Sequence, residues 1–162
     1  MQMSKEKTFV PAIIMTLIFI GLNVYANVFN TFKDLQYKFT GLKFSLAQSM
    51  ESGLQDLFFT INLVLTNNHA TTIFIQAINF DVKYNGVKIA RVEQNSGINI
   101  APKQTTVSIL NIEVQTDSLP QTIKSALAQI VQGNAKFQLV FDGTISTELG
   151  TIPLKQNLNI GG

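Results

Sequence analysis

The stretch Asp56-Leu57-Phe58-Phe59-Thr60-Ile61-Asn62-Leu63-Val64-Leu65 places an apolar residue at every odd position from Leu57 to Leu65, with Thr60 and Asn62 among the residues between them. A repeat of two turns alternate side chains to opposite faces of a pleated strand, so one face is predicted to be buried and the other to meet water. Such one-sided strands belong to antiparallel sheets. The chain has 162 residues, enough for one domain plus a short appendage.

Upstream of this strand, Gln36 to Gln48 carries Tyr37, Phe39, Leu42, Phe44 and Leu46 and reads as the first strand, with a change of phase at Gly41 that predicts a bulge or bend. Glu51-Ser52-Gly53 reads as the turn into the second strand, and Asn67-Asn68-His69 as the turn out of it. Ile73 and Ile75 resume extended structure. After a break at Gln76-Ala77, the residues Ile78, Phe80, Val82 and Tyr84 alternate with Asn79, Asp81 and Lys83. Asn85-Gly86 supplies the positive φ angles of a two-residue type I′ turn, which sets the register between the Tyr84 strand and a Val87-Ile89 strand.

A short strand around Ile98 and Ile100 precedes Pro102-Lys103, and alternation returns from Val107 to Val114. After Asp117-Ser118 the period becomes helical through Leu119, Ile123, Leu127, Ile130 and Val131, with Pro120 in the first turn and Gly133 past the end. An amphipathic helix over about 119–132 is expected. It is too short to be stable alone and must cover a sheet edge or the open end of a sandwich. Strands return at Phe137, Leu139 and Phe141, a turn is expected at Asp142-Gly143, and the chain finishes through Ile145, Ile152 and Leu154. Seven or more short strands with one late helix predict a mainly β, two-sheet sandwich over residues 36–160.

The N-terminal part differs in kind. After a short tail, residues 1–8, residues 9–22 contain no charge and Thr16 as the single polar side chain, and apolar character continues to Phe29. A helix of about 21 residues at 1.5 Å each reaches about 30 Å, the thickness of a bilayer's hydrocarbon core. We therefore expect an uncleaved, single-pass membrane anchor over residues 9–29, followed by a linker at 30–35. Phe9, Val10, Ile13, Ile14, Leu17, Ile18, Phe19, Ile20 and Leu22 would carry the contact with lipid. A cleaved secretory signal ending at Val24-Tyr25-Ala26 and a buried helix of a soluble domain are the alternatives. Asn23, Asn27 and Asn30 recur at helical spacing; Asn23 and Asn27 suit either the headgroup level or a contact with another helix. Lys5 and Lys7 against Glu6 favour an N-terminus on the cytoplasmic or interior side, with the β-domain on the other.

The quoted strand ending in Thr66-Asn67-Asn68, the run Phe80-Asp81-Val82-Lys83-Tyr84-Asn85-Gly86-Val87-Lys88-Ile89-Ala90, the Ile100-Ala101-Pro102 turn, and the helix leading to Phe137-Gln138-Leu139-Val140-Phe141-Asp142-Gly143 together resemble the late embryogenesis abundant type-2 family, or WHy (water stress and hypersensitive response) domain. The family usually has Asn-Pro after its second strand, where this chain has Asn67-Asn68. The resemblance covers about residues 35–160. It implies an immunoglobulin- or fibronectin-like antiparallel sandwich without a known enzymatic activity, often behind one N-terminal membrane helix, in proteins associated with desiccation, stress or defence.

Composition narrows the function further. A net charge of +2 with 14% charged residues lacks the dense basic stripe that nucleic acid requires. Cysteine is absent, which removes disulfides and thiolate metal sites. The one histidine, His69, has no partner ligands in sequence and reads as a solvated turn residue. Asp56, Asp81, Glu93, Glu113, Asp117, Asp142 and Glu148 stand singly and read as solvated positions or caps. Ser45, Ser49 and Ser52 lack the context of a serine nucleophile. Lys33, Lys38, Lys43, Lys83 and Lys88 read as outward strand residues, Lys83 and Lys88 also as guards of a sheet edge. No catalytic, cofactor or metal residue is expected. The expected role is a non-enzymatic, membrane-anchored structural or interaction module, a homo-oligomer or a subunit of a cell-envelope complex or membrane-containing virion, with Asn79, Asn99, Asn111 and Gln138 offering polar contacts. The alternative is a stress-protective protein that acts by surface hydration or by binding a small apolar ligand between its sheets.

Overall fold

The computed structural model describes residues 33–53, 55–95, 97–132 and 136–160. In chain order the elements are β1 (Leu35–Phe44), α1 (Leu46–Glu51), β2 (Asp56–Asn67), β3 (Ile73–Tyr84), β4 (Val87–Gln94), β5 (Ile98–Ile100), β6 (Thr105–Gln115), a 3₁₀ turn (Thr116–Ser118), α2 (Gln121–Val131), β7 (Phe137–Thr147) and β8 (Gly150–Ile160). Every pairing is antiparallel. One sheet has the order β1-β2-β6; the other has the order β4-β3-β7-β8, with β5 added to the start of β3.

The alternation that defines β2 is realised along its whole length: Leu57, Phe59, Ile61, Leu63, Leu65 and Asn67 are buried and the residues between them are half-buried. Its buried face meets the inner face of the second sheet. Phe39 of β1 stacks on Phe141 of β7 with ring centroids 4.5 Å apart, and Phe80 of β3 lies edge-on to Phe39 at 5.1 Å. These contacts join the two sheets into a β-sandwich, since an aromatic pair adds to the burial of its area.

Local signals in the sequence are met at several points. β1 shifts register against β2 between Thr40 and Lys43, and Gly41 between them has a φ of 66° with the Asn62 side chain 3.1 Å from where a Cβ would stand. The bulge returns Leu42 and Phe44 to the inner side, which explains the change of phase. β3 is irregular against β7 between Ile75 and Ala77, at the predicted break. Asn85 and Gly86, with φ of 47° and 78°, close the β3–β4 hairpin with Tyr84 opposite Val87.

The late helix runs from Gln121 to Val131, inside the expected range, and buries Ile123 and Leu127; Leu119, just before it, is buried as well. Leu127 shares an apolar surround with Phe59, Ile112 and Val114 of the first sheet and Val82, Ile89 and Leu139 of the second, so α2 closes one end of the sandwich.

Four expectations are corrected. The first strand stops at Phe44, and Leu46, read as its continuation, opens the short helix α1 with 56% of its surface exposed. Long-range bonds decide this: Ser45 N–H donates to Phe58 O at 2.8 Å, and Phe58 N–H donates to Ser49 Oγ at 3.0 Å. Asp142-Gly143 is no turn but the middle of β7, and the hairpin to β8 turns at Glu148-Leu149. Gly143 sits opposite Phe80, where an added Cβ would lie 2.1 Å from Asn79 O and 2.4 Å from Phe80 Cα. Glycine is thus required there by close approach of β3. Lys83 guards no edge, because β3 is an interior strand; Lys88 does stand on an edge, in β4. Asn67, read as part of a turn, is the last residue of β2 and fully buried.

The expected anchor over residues 9–29, its residues Phe9, Val10, Ile13, Ile14, Leu17, Ile18, Phe19, Ile20 and Leu22, and the helix-contact candidates Asn23 and Asn27 lie outside the described residues. Among the described residues no helix is long and apolar enough to cross a membrane.

Candidate functional site

The outward face of the second sheet concentrates the polar chemistry of the described fold. Asp81 of β3 stands directly opposite Asp142 of β7. Two carboxylates so placed repel each other, and each is neutralised from another strand position. Lys83 Nζ lies 2.7 Å from Asp142 Oδ2; Lys88 Nζ and Arg91 Nη1 lie 2.9 and 3.4 Å from Asp81 Oδ1. Arg91 Nε continues the network to Glu93 Oε1 at 2.6 Å. Farther along the same face, Gln138 Nε2 donates to Asn159 Oδ1 at 3.0 Å.

The hydrogen bond and charge of Lys83 hold the Asp142 carboxyl below its ordinary value, and the same bond raises Lys83. The bond to Glu93 does likewise for Arg91. Asp81, Glu93 and Asp142 are therefore not the separate residues their sequence positions suggest. The Asp81–Arg91 pairing depends on a bulge: Val82 faces Ala90 and Lys83 faces Lys88, so Ile89 is left over. Counting straight back from Asn85-Gly86 would set Asp81 against Ala90, and no local signal corrects it.

Where β4 and β6 run beside each other without backbone pairing, two grooves open, of about 460 and 390 Å³. Arg91 and Glu113 line both. Under α2 a space of about 10 Å³ lies in a wholly apolar lining, at the lower limit for one water.

The other sequence candidates are structural. Ser49, fully buried, donates through Oγ to Ser45 O at 2.9 Å, and Ser52 Oγ bridges Ser49 O and Asp56 O at 3.0 and 3.1 Å, so the three serines clamp α1 to the start of β2. Asn67 Nδ2 donates to Thr71 O, Ile100 O and Ala101 O at 2.8, 2.9 and 3.2 Å, while its Oδ1 accepts from His69 N at 2.8 Å. One amide thus joins the β2–β3 turn to the β5–β6 turn. His69 Nδ1 accepts from Thr71 N–H at 3.2 Å and pairs with Thr71 Oγ1 at 2.7 Å, which completes the turn locally. Among the described residues no three histidine or carboxylate side chains are grouped to hold a metal ion.

Comparison with known proteins agrees with this architecture. A protein from Archaeoglobus fulgidus superposes with a TM-score of 0.50 at 13% identity, covering 77% of this chain and 98% of its own. An Arabidopsis thaliana protein solved in solution is 20% identical over 76% of this chain and 78% of its own, with a TM-score of 0.47. A late embryogenesis abundant protein, also solved in solution, is 12% identical over 99% of this chain and 93% of its own, with a TM-score of 0.38. No curated protein matches the sequence. The family model for late embryogenesis abundant protein matches residues 62–158, from the middle of β2 to near the end of β8. The chain belongs to the late embryogenesis abundant type-2 family.

Proposed function

We propose that this protein is a non-enzymatic, stress-protective member of its family whose folded domain works through its hydrated outer surface. The observation that carries the reading is the network on the second sheet, in which Asp81, Lys83, Lys88, Arg91, Glu93 and Asp142 find their partners within the chain. In water such exposed pairs contribute little, because solvent screens them. As water is withdrawn the effective dielectric falls and the same pairs strengthen. The face then keeps its conformation when its hydration shell is depleted. The family match supports this reading better than that of an assembly subunit in a cell envelope or virion.

The finer features belong to the same proposal. The sandwich is of immunoglobulin or fibronectin kind, supported by its all-antiparallel two-sheet build. The apolar run of residues 9–29 supports a tether that keeps the domain at a bilayer, with the N-terminus on the cytoplasmic or interior side.

The test is to dry a labile reporter enzyme with the full chain and measure the activity recovered on rehydration. Recovery above that given by an equal mass of an unrelated folded protein is expected, reduced when Lys83→Gln and Asp142→Asn are combined. Equal recovery with the unrelated protein would overturn the reading. Repeating the assay with a chain that begins at residue 33 separates protection from tethering.

A further inference from the structure

The charged residues of the second sheet are paired with one another, whereas the groove of about 390 Å³ at the β4–β6 margin is ringed by polar groups that are not. Gln48 of α1 and Asn111 and Glu113 of β6 are exposed, and among the described residues their side chains form no hydrogen bond or ion pair. Arg91 and Glu93 of β4, joined at 2.6 Å, complete the polar lining. Phe58, half-buried and directly across from Glu113 on the outward face of β2, supplies an aromatic wall. The second groove, of about 460 Å³, shares Arg91 and Glu113 with the first and adds Lys88, Gln115 and Ser118. Volumes of this order are those of small-molecule sites.

The fold orders this lining before any ligand arrives. Asn111 and Glu113 stand on a strand that pairs with β2 from Thr105 to Gln115. Gln48 stands on a helix of six residues, too short to persist alone. That helix is fixed to β2 by two bonds: Phe58 N–H donates to Ser49 Oγ at 3.0 Å, and Ser45 N–H donates to Phe58 O at 2.8 Å. The same bonds hold the backbone of Phe58. A ligand in the groove therefore meets groups whose main chain is already in place, which lowers the entropy cost of binding.

The chemistry of the lining selects the ligand. Glu113 only accepts hydrogen bonds, Arg91 only donates them, and the amides of Gln48 and Asn111 do both. An anion would meet the carboxylates of Glu93 and Glu113, and a simple cation would meet the Arg91 guanidinium. A hydroxyl group suits all of them, because it donates and accepts at once. The face of Phe58 carries partial negative charge and attracts C–H groups. A pyranose ring has both features, hydroxyls around its rim and C–H groups across one face. We propose that the β4–β6 margin binds a soluble, neutral sugar. One ring lies against Phe58 with its hydroxyls bonded by Gln48, Asn111 and Glu113, and a second ring reaches the adjoining groove beside Gln115 and Ser118.

The test is saturation-transfer difference NMR with maltose on the full chain, in a detergent without a sugar headgroup. Low-millimolar affinity is expected, with the strongest saturation on the C–H groups of one ring face. Glu113→Ala is expected to weaken binding about tenfold and Asn111→Ala about fivefold, as hydrogen bonds to the sugar are lost. Both positions are exposed, so these variants keep the fold. Phe58→Leu, which keeps an apolar side chain against α1, is expected to weaken binding about fivefold and to even out the saturation across the ring. Asn157→Ala removes an exposed amide on β8, at the far edge of the second sheet, and is expected to leave binding unchanged. No saturation of maltose, equal losses in Asn157→Ala and Asn111→Ala, tighter binding of tetramethylammonium or sulfate than of maltose, or displacement of maltose by octyl glucoside but not by glucose would overturn the proposal. The readout involves no drying, so its failure would leave the protective reading standing.

Discussion

On one side of the sandwich, β1 and β8 are stitched across the gap between the sheets by Tyr37 and Gln156; on the other, β4 and β6 run side by side over open grooves. The difference lies in which side chains the edge strands carry. Gln156 presents an amide that imitates a neighbouring peptide group, so it satisfies both the N–H and the C=O of Phe39. β6 is held by β2 along its length and at its start by Asn67, whose backbone N–H donates to Gln104 O at 2.9 Å. One side is joined by side chains that bond to backbone, the other by the side chains of Gln94 and Ser108, 3.4 Å apart.

The largest effect is expected from removing the end lock. Asn67→Ala strips partners from Thr71 O, Ile100 O, Ala101 O and His69 N, the bond to Ile100 O being buried and the others partly so, and should cost about 3 kcal/mol in denaturant unfolding. Gln156→Ala makes the sealed side resemble the open one: a loss of about 2 kcal/mol is expected from unpaired Phe39 groups, together with new self-association visible by light scattering. Tyr37→Phe removes only the hydroxyl's bonds to β8 and should cost about 1 kcal/mol in the same measurement.

Asp142→Asn should give the smallest change, and it is diagnosed by pH. Because the folded-state value of Asp142 is lowered from 3.8, its contribution is present above that pH and lost as pH falls through the lower folded value. Lys83, raised from 10.5, contributes below that pH and loses its contribution as pH rises through the folded value. Stability of the parent and the variant should therefore differ near neutrality and converge in acid, as followed by thermal unfolding from pH 2 to 7. Parallel curves would show that the pair does not couple to folding.

Much of the architecture was legible because its causes are local. The odd-position apolar run of β2 states its own buried face, Gly41 marks its bulge through a positive φ, and Asn85-Gly86 sets a turn that few other dipeptides can adopt. The candidate site was less so. Asp81 finds Arg91 only because Ile89 is bulged out, and Asp142 finds Lys83 only because β7 pairs with β3 across 59 residues of chain. Ser49 reads as one more hydroxyl until Phe58 is brought to it.

The sequence by itself determined that this is an antiparallel β protein of the late embryogenesis abundant type-2 family, because a period of two, turn chemistry and motif order are properties of neighbouring residues. Tertiary structure alone decided that Asp142-Gly143 runs through a strand and that Leu46 leaves the sheet. Each of these depends on which distant backbone supplies or withholds a hydrogen bond, or fills the space a side chain would need, and no local pattern encodes that choice.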